Sequence, residues 1–117
     1  MKLVGAAALL AVLLLLGGQG RAHSKPGTVH NRQHAITVAF CHSLKPCALG
    51  NKALDVAYCE SGANLWPYAR SSGGHLGMFQ FGLYARSAFG FSWSPWEQSR
   101  AAYRYWRVSG WSPWQCA

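Results

Sequence analysis

Four cysteines, Cys41, Cys47, Cys59 and Cys116, constrain this chain more than any other feature. All four lie beyond an N-terminal run that reads Met1-Lys2, then Leu, Val, Ala and Gly from Leu3 to Gly18, then Gln19-Gly20-Arg21-Ala22. One positive charge, a short apolar stretch and small residues at Gly20 and Ala22 have the form of a secretory signal peptide cut after Ala22. The Leu-rich core falls short of the roughly 20 residues that span a bilayer, which argues against a retained anchor. In a secreted chain an even cysteine count points to disulfides, with three pairings open. Cys41 and Cys47 enclose a short loop containing Pro46 and are natural partners, which leaves Cys59 with Cys116. On the chain-entropy model that long closure stabilises the fold by roughly 4 kcal/mol. A zinc site is the competing use of these residues, but no Cys-x-x-Cys knuckle is present, so no metal is expected.

Residues 23–117 suffice for one small domain whose core is marginal without cross-links. The chain carries 11 Lys and Arg against three acids, Asp55, Glu60 and Glu97, a formal net charge of +8. That balance suits an anionic partner such as a cell wall, an acidic membrane surface or nucleic acid. The basic residues are scattered, with no run of five, so ordinary surface charge explains them equally well.

Residues 23–31 are polar, rich in Ser, Pro, Gly and His, and read as a flexible segment. The domain proper is expected over 32–117. His23, His30, His34 and His42 share no consistent face and read as solvated. Apolar residues Ala35, Ile36, Val38, Ala39 and Phe40 predict a helix from Arg32 to Cys41, followed by a turn through Ser43–Cys47. A second helix is expected from an Asn51 N-cap, with Leu54, Ala57 and Tyr58 at helical spacing and Gly62 in the left-handed position that ends helices. Between Asn64 and Phe81 the text turns to Pro, Ser, Gly and aromatics and predicts a loop or short hairpin, with Gly73-Gly74 at a tight turn. A short helix over Leu83–Phe89 follows. Ser94-Pro95-Trp96-Glu97 then supplies Ser at N-cap, Pro at N1 and Glu at N3, a capping box that starts a helix running to Gly110. Trp111-Ser112-Pro113-Trp114 echoes Trp93-Ser94-Pro95-Trp96 and predicts a closing turn.

The acids sort themselves by position. Glu97 has a capping role, and Asp55 falls in the early turns of its helix, where the dipole favours negative charge. Glu60 has no such role. It stands at the negative end of its helix beside a disulfide and aromatic residues, conditions that raise a carboxyl pKa and suit a general acid.

From about Cys41 onward the chain resembles the small secreted transglycosylase-like proteins of actinobacteria and their phages, in the lysozyme-like superfamily. Soluble lytic transglycosylases and resuscitation-promoting factors are relatives there. Ala57-Tyr58-Cys59-Glu60-Ser61-Gly62 carries the family's Glu-Ser-Gly, and Gly77-Met78-Phe79-Gln80 its Gly-x-x-Gln. Gly82-Leu83-Tyr84-Ala85-Arg86, Ala101-Ala102-Tyr103-Arg104-Tyr105 and the closing Gly110-Trp111-Ser112-Pro113-Trp114-Gln115-Cys116 follow in family order. Two departures stand out: the usual Asn-Pro appears as Asn64-Leu65-Trp66-Pro67, and no Ala-Tyr-Asn-Ala-Gly segment is visible. The resemblance implies a mainly α (α+β lysozyme-like) fold: a small helical, disulfide-stapled domain with a loop or hairpin beside the groove. It also implies a Cys59–Cys116 disulfide, Glu60 as general acid and Gln80 in the substrate groove.

That resemblance sets the expected chemistry. A two-carboxylate glycosidase needs a second acid about 5–10 Å from the first. Asp55 lies five residues before Glu60, a rotation of roughly 140° around a helix, so it faces elsewhere. A lytic transglycosylase needs one acid/base. Glu60 would protonate the oxygen between N-acetylmuramic acid and N-acetylglucosamine, and the muramic 6-hydroxyl would then attack. The groove is expected to use Gln80, Ser61, Trp66, Trp93 and Tyr103, with Tyr84 and Trp96 as further stacking candidates and His75 more a surface residue than a contact. The expected partner is a peptidoglycan glycan strand. No cofactor, nucleic acid or membrane insertion after signal removal is expected, and the protein should be monomeric, either extracellular or wall-associated. A non-catalytic wall-binding or signalling protein on the same scaffold is the alternative. A cationic membrane-active protein ranks third, because residues 95–109 lack a long charged face.

Overall fold

The computed structural model of the protein describes residues 27–117. The expected leader and the start of the polar segment lie outside the described residues. Four helices follow one another: α1 (Val29–Cys41), α2 (Ala48–Ser61), α3 (Leu83–Phe89) and α4 (Pro95–Ser109). α1 packs against both α2 and α4, while α3 packs on α4.

α1 begins three residues before the predicted start. Thr28 is its N-cap, and the Thr28 hydroxyl accepts from the Asn31 N–H at 3.1 Å, so residues read as flexible form a cap and first turn. Arg32, counted above among surface charges, is only 4% exposed. Its Nε and Nη2 donate to the Asn64 carbonyl at 3.0 and 2.7 Å, and Nη1 donates to that of Gly27 at 2.6 Å. Burial lowers its pKa, and the guanidinium ties the start of α1 to the loop beyond α2.

α2 is capped by Cys47, not by Asn51. Cys47 is held extended, its sulfur accepts from the Gly50 N–H at 3.2 Å, and Asn51 lies inside the helix. The cross-link to Cys41 supplies this cap, a role that sequence rules reserve for Ser, Thr, Asp and Asn. The same cross-link explains Gly50, where a Cβ would come within 2.4 Å of the Cys41 sulfur. With the helix starting at Ala48, Asp55 sits in mid-helix and is exposed, outside the turn where the dipole would favour it. At the other end Gly62 has φ 93° and ψ 174°, outside the left-handed helical region but in territory open essentially to glycine.

Residues 64–82 form a compact hairpin-like loop. Arg70 pairs with Leu76, and Leu76 with Phe81, as isolated bridges; among the described residues no continuous strand forms. Arg86 of α3 fastens it by donating to the Phe81 and Gly74 carbonyls at 2.7 and 2.9 Å. α4 starts at Ser94 and Pro95 as predicted, but the capping box is only half made. The Ser94 hydroxyl accepts from the Glu97 N–H at 3.5 Å, the Ser94 N–H goes to the Ser92 hydroxyl, and the Glu97 carboxylate pairs with Arg100. The Trp111–Trp114 echo is a turn closed by the Trp114 N–H on the Trp111 carbonyl.

Phe40 of α1 is the centre of the core. Its ring stacks on Trp111 at 5.7 Å and meets Tyr103, Trp106 and Phe79 at 5.5, 6.3 and 6.1 Å. Ile36, Val56, Leu65, Met78 and Trp114 fill the space around it, each burial contributing about 1.5–3 kcal/mol. Both expected disulfides are present, Cys41–Cys47 and Cys59–Cys116. The architecture is thus a compact, mainly helical, disulfide-stapled small domain.

Candidate functional site

The last turn of α2 delivers Glu60, half-buried, to a cleft of about 370 Å³. Cys59, Ser71, His75, Gln80 and residues 113–116 complete its walls. The Cys59–Cys116 cross-link is what brings the closing segment here: it sets Cys116 so that its backbone N–H donates to the Glu60 carboxylate. Burial pushes the Glu60 carboxyl above the usual carboxylate range, while the Cys116 hydrogen bond and the nearby His75 pull in the opposite direction. Asp55 and Glu97 do not line the cleft, so among the described residues Glu60 is the one side-chain carboxylate lining it.

Gln80 lines the same cleft from the Gly77–Gln80 turn, with a left-handed backbone at φ 51°. Its Nε2 donates to the Gly77 and Ala69 carbonyls at 2.9 and 3.3 Å, so both amide hydrogens serve the turn and the side chain offers its oxygen as an acceptor. The turn is held from behind by two long-range bonds. The Trp114 indole N–H donates to the Phe79 carbonyl at 2.9 Å, and the Met78 N–H donates to Gln98 Oε1 at 2.8 Å. Gln98 also gives its Nε2 to the Pro67 and Ser92 carbonyls, joining α4 to both flanking loops.

His75 is exposed, yet it belongs to the cleft. An added Cβ at Gly73 would lie 3.3 Å from its Nδ1, and one at Gly82 would lie 3.1 Å from its Nε2, so the ring lies close against two glycines. His75, Gln80, Pro113 and Trp114 also line an adjoining hollow of about 320 Å³, where Tyr84, Tyr105 and Leu83 supply apolar faces. The two hollows therefore form one groove with a polar half at Glu60 and an aromatic half at Tyr84.

The other expected groove residues lie elsewhere. Ser61 bonds back to the Ala57 carbonyl at 2.8 Å within its own helix. Trp66, 43% exposed, lies beneath the Arg32 guanidinium and edge-on to Tyr68; Trp93 meets Tyr68, Phe91 and the Arg70 guanidinium. Tyr103 hydrogen-bonds its hydroxyl to the His42 ring on the α1–α4 face, and His42 is exposed as expected. None of these four lines the Glu60 cleft. Sequence reasoning missed Ser71, Pro113, Trp114 and Gln115, and the signal for the last three was the Cys59–Cys116 pairing itself.

No family model, no curated protein and no solved structure matches this chain. The likeness to lysozyme-like proteins therefore stands on the quoted motifs alone.

Proposed function

We propose that this protein is a secreted enzyme that cleaves peptidoglycan strands, with Glu60 as its single general acid/base. One observation carries the reading: among the described residues the one side-chain carboxylate lining the groove is half-buried, raised in pKa by that burial, and shares with Gln80 a cleft that adjoins an aromatic hollow. A carboxyl whose pKa is raised by burial keeps its proton to higher pH than an exposed one, which suits donation to a glycosidic oxygen.

Glu60 gives its proton to the oxygen linking N-acetylmuramic acid to N-acetylglucosamine as the bond from that oxygen to the muramic C1 breaks. The resulting Glu60 carboxylate takes the proton of the muramic 6-hydroxyl, whose oxygen bonds to C1, leaving a 1,6-anhydro end and a reprotonated Glu60. No second carboxylate is required, in keeping with a groove that holds one. The signal-like residues 1–22 and the two disulfides support an extracellular or wall-associated site of action. Among the described residues no helix is long and apolar enough to cross a membrane.

The test is mass spectrometry of soluble products from purified peptidoglycan, comparing wild type with Glu60→Gln. Anhydro-muramic ends from the wild type that vanish in a folded Glu60→Gln variant are the expected result. Free reducing ends would make the enzyme a hydrolase, and unchanged release by Glu60→Gln would remove Glu60 from the mechanism. Wall binding without release from either protein would favour the non-catalytic reading.

A further inference from the structure

A second hollow, of about 420 Å³, shares no residue with the Glu60 groove. It opens between α1 and α4, where α1 contributes only Ala35, Val38 and Ala39 to the floor. Small side chains there leave open the space that larger ones would fill. Trp96, in the first turn of α4, flanks it with a ring that is 39% exposed. A large apolar ring left half in water at the edge of an apolar floor is a ready contact for a flat or aliphatic body.

The remaining lining is polar, and Tyr103 of α4 is part of it. Arg100 and Arg104 border the hollow from α4, and His42 borders it from the end of α1. His42 is fixed in place: its backbone is left-handed at φ 59°, its ring lies edge-on to Tyr103 at 4.9 Å, and a ring nitrogen meets the Tyr103 hydroxyl at 3.0 Å. Arg104 is anchored by one bond, from Nη2 to the Phe89 carbonyl at 2.8 Å, of the five N–H donors a guanidinium carries. Arg100 is paired with Glu97, which neutralises part of its charge. No carboxylate lines the hollow itself. A volume of this order falls within the roughly 300–1,000 Å³ of small-molecule sites, which combine apolar walls with a few placed polar groups.

We propose that this hollow binds a phosphate monoester of an apolar alcohol, with the apolar body on Ala35, Val38, Ala39 and Trp96 and the phosphate between Arg104, Arg100 and His42. The head group follows from the donors. Two guanidiniums and an imidazole offer more N–H donors than the two oxygens of a carboxylate can use, whereas a phosphomonoester brings three strong acceptor oxygens. The site is independent of the proposed catalytic reading.

Isothermal titration of the purified protein with 1-naphthyl phosphate, 1-naphthol and inorganic phosphate tests the assignment. The naphthyl phosphate should bind at least about tenfold more tightly than the body or the head alone, since each engages half of the site. Arg104→Gln and Trp96→Ala, both at exposed positions, should each weaken it about tenfold without moving the melting temperature by more than a few degrees. Lys52→Gln, a charge change on α2 away from the hollow, should leave binding unchanged. Equal binding of 1-naphthol, equal loss in Lys52→Gln, retention of affinity in Arg104→Gln and Trp96→Ala, or no binding at millimolar ligand would each overturn it.

Discussion

Replacing Gln98 by leucine should cost this protein more stability than any surface change, although Gln98 touches no substrate. The side chain is 2% exposed and makes three bonds: Oε1 accepts from the Met78 N–H at 2.8 Å, and Nε2 donates to the Pro67 and Ser92 carbonyls at 2.9 and 3.0 Å. Leucine is similar in size but replaces none of these bonds. The Met78 N–H, on a fully buried residue, would be left without an acceptor at about 1–3 kcal/mol, and each stranded carbonyl adds about 1 kcal/mol. The expected loss is therefore about 3–5 kcal/mol, a large share of the roughly 5–15 kcal/mol available to a small domain. Urea unfolding followed by tryptophan fluorescence measures it. Hydrogen exchange at the Met78 amide gives an independent reading, because that amide should lose protection before the helices do. A loss below about 1 kcal/mol, or a Met78 amide as protected as in the wild type, would refute the hub role given to Gln98.

Two further predictions come from the α2 ends. Gly50→Ala should destabilise by about 1–3 kcal/mol despite alanine's better helix propensity, because its Cβ would press on the Cys41 sulfur. In a Cys41→Ala/Cys47→Ala background the same change should stabilise, and chemical denaturation of the four proteins reads this reversal. Glu60 has a folded pKa above its unfolded value, so its contribution to stability is fully present below the unfolded pKa of about 4.3 and is lost as pH rises through the folded pKa. The melting temperature of Glu60→Gln minus that of wild type should therefore rise between pH 4 and pH 7; a difference that falls over that range would contradict the burial argument.

What the sequence made legible was local. Ser94-Pro95 announces the start of α4 because a cap needs only the next three residues, and Leu83–Phe89 and the helix carrying Glu60 follow from spacing in the same way. The cysteine spacing likewise gave both cross-links. The misread start of α2 has a physical cause: a half-cystine occupies the cap position, and its sulfur takes the bond that a Ser, Thr, Asp or Asn oxygen would accept. Arg32 and Gln98 were invisible for a different reason. Most of their bonds go to carbonyls and an N–H 32 and 20–31 residues away, and nothing in the nearby sequence marks either residue as buried. Trp66 and Trp93 were assigned to the groove because loop text usually means exposure. The fold instead sets each against an arginine guanidinium, away from Glu60.

The Glu60 site depends on three segments remote in sequence, and their coupling shapes how it can fail. α2 supplies the carboxylate, the 64–82 loop supplies His75 and Gln80, and the C-terminal segment supplies the Cys116 N–H. One disulfide joins the first to the third, and the Trp114–Phe79 bond joins the third to the second. Opening the disulfide therefore removes more than a cross-link of roughly 4 kcal/mol. It releases the donor that pulls the Glu60 pKa down, and it frees Trp114, whose indole braces the turn carrying Gln80. A damaged C-terminal segment should disturb acid, glutamine and groove together, whereas a change confined to the α1–α4 hollow should leave all three in place.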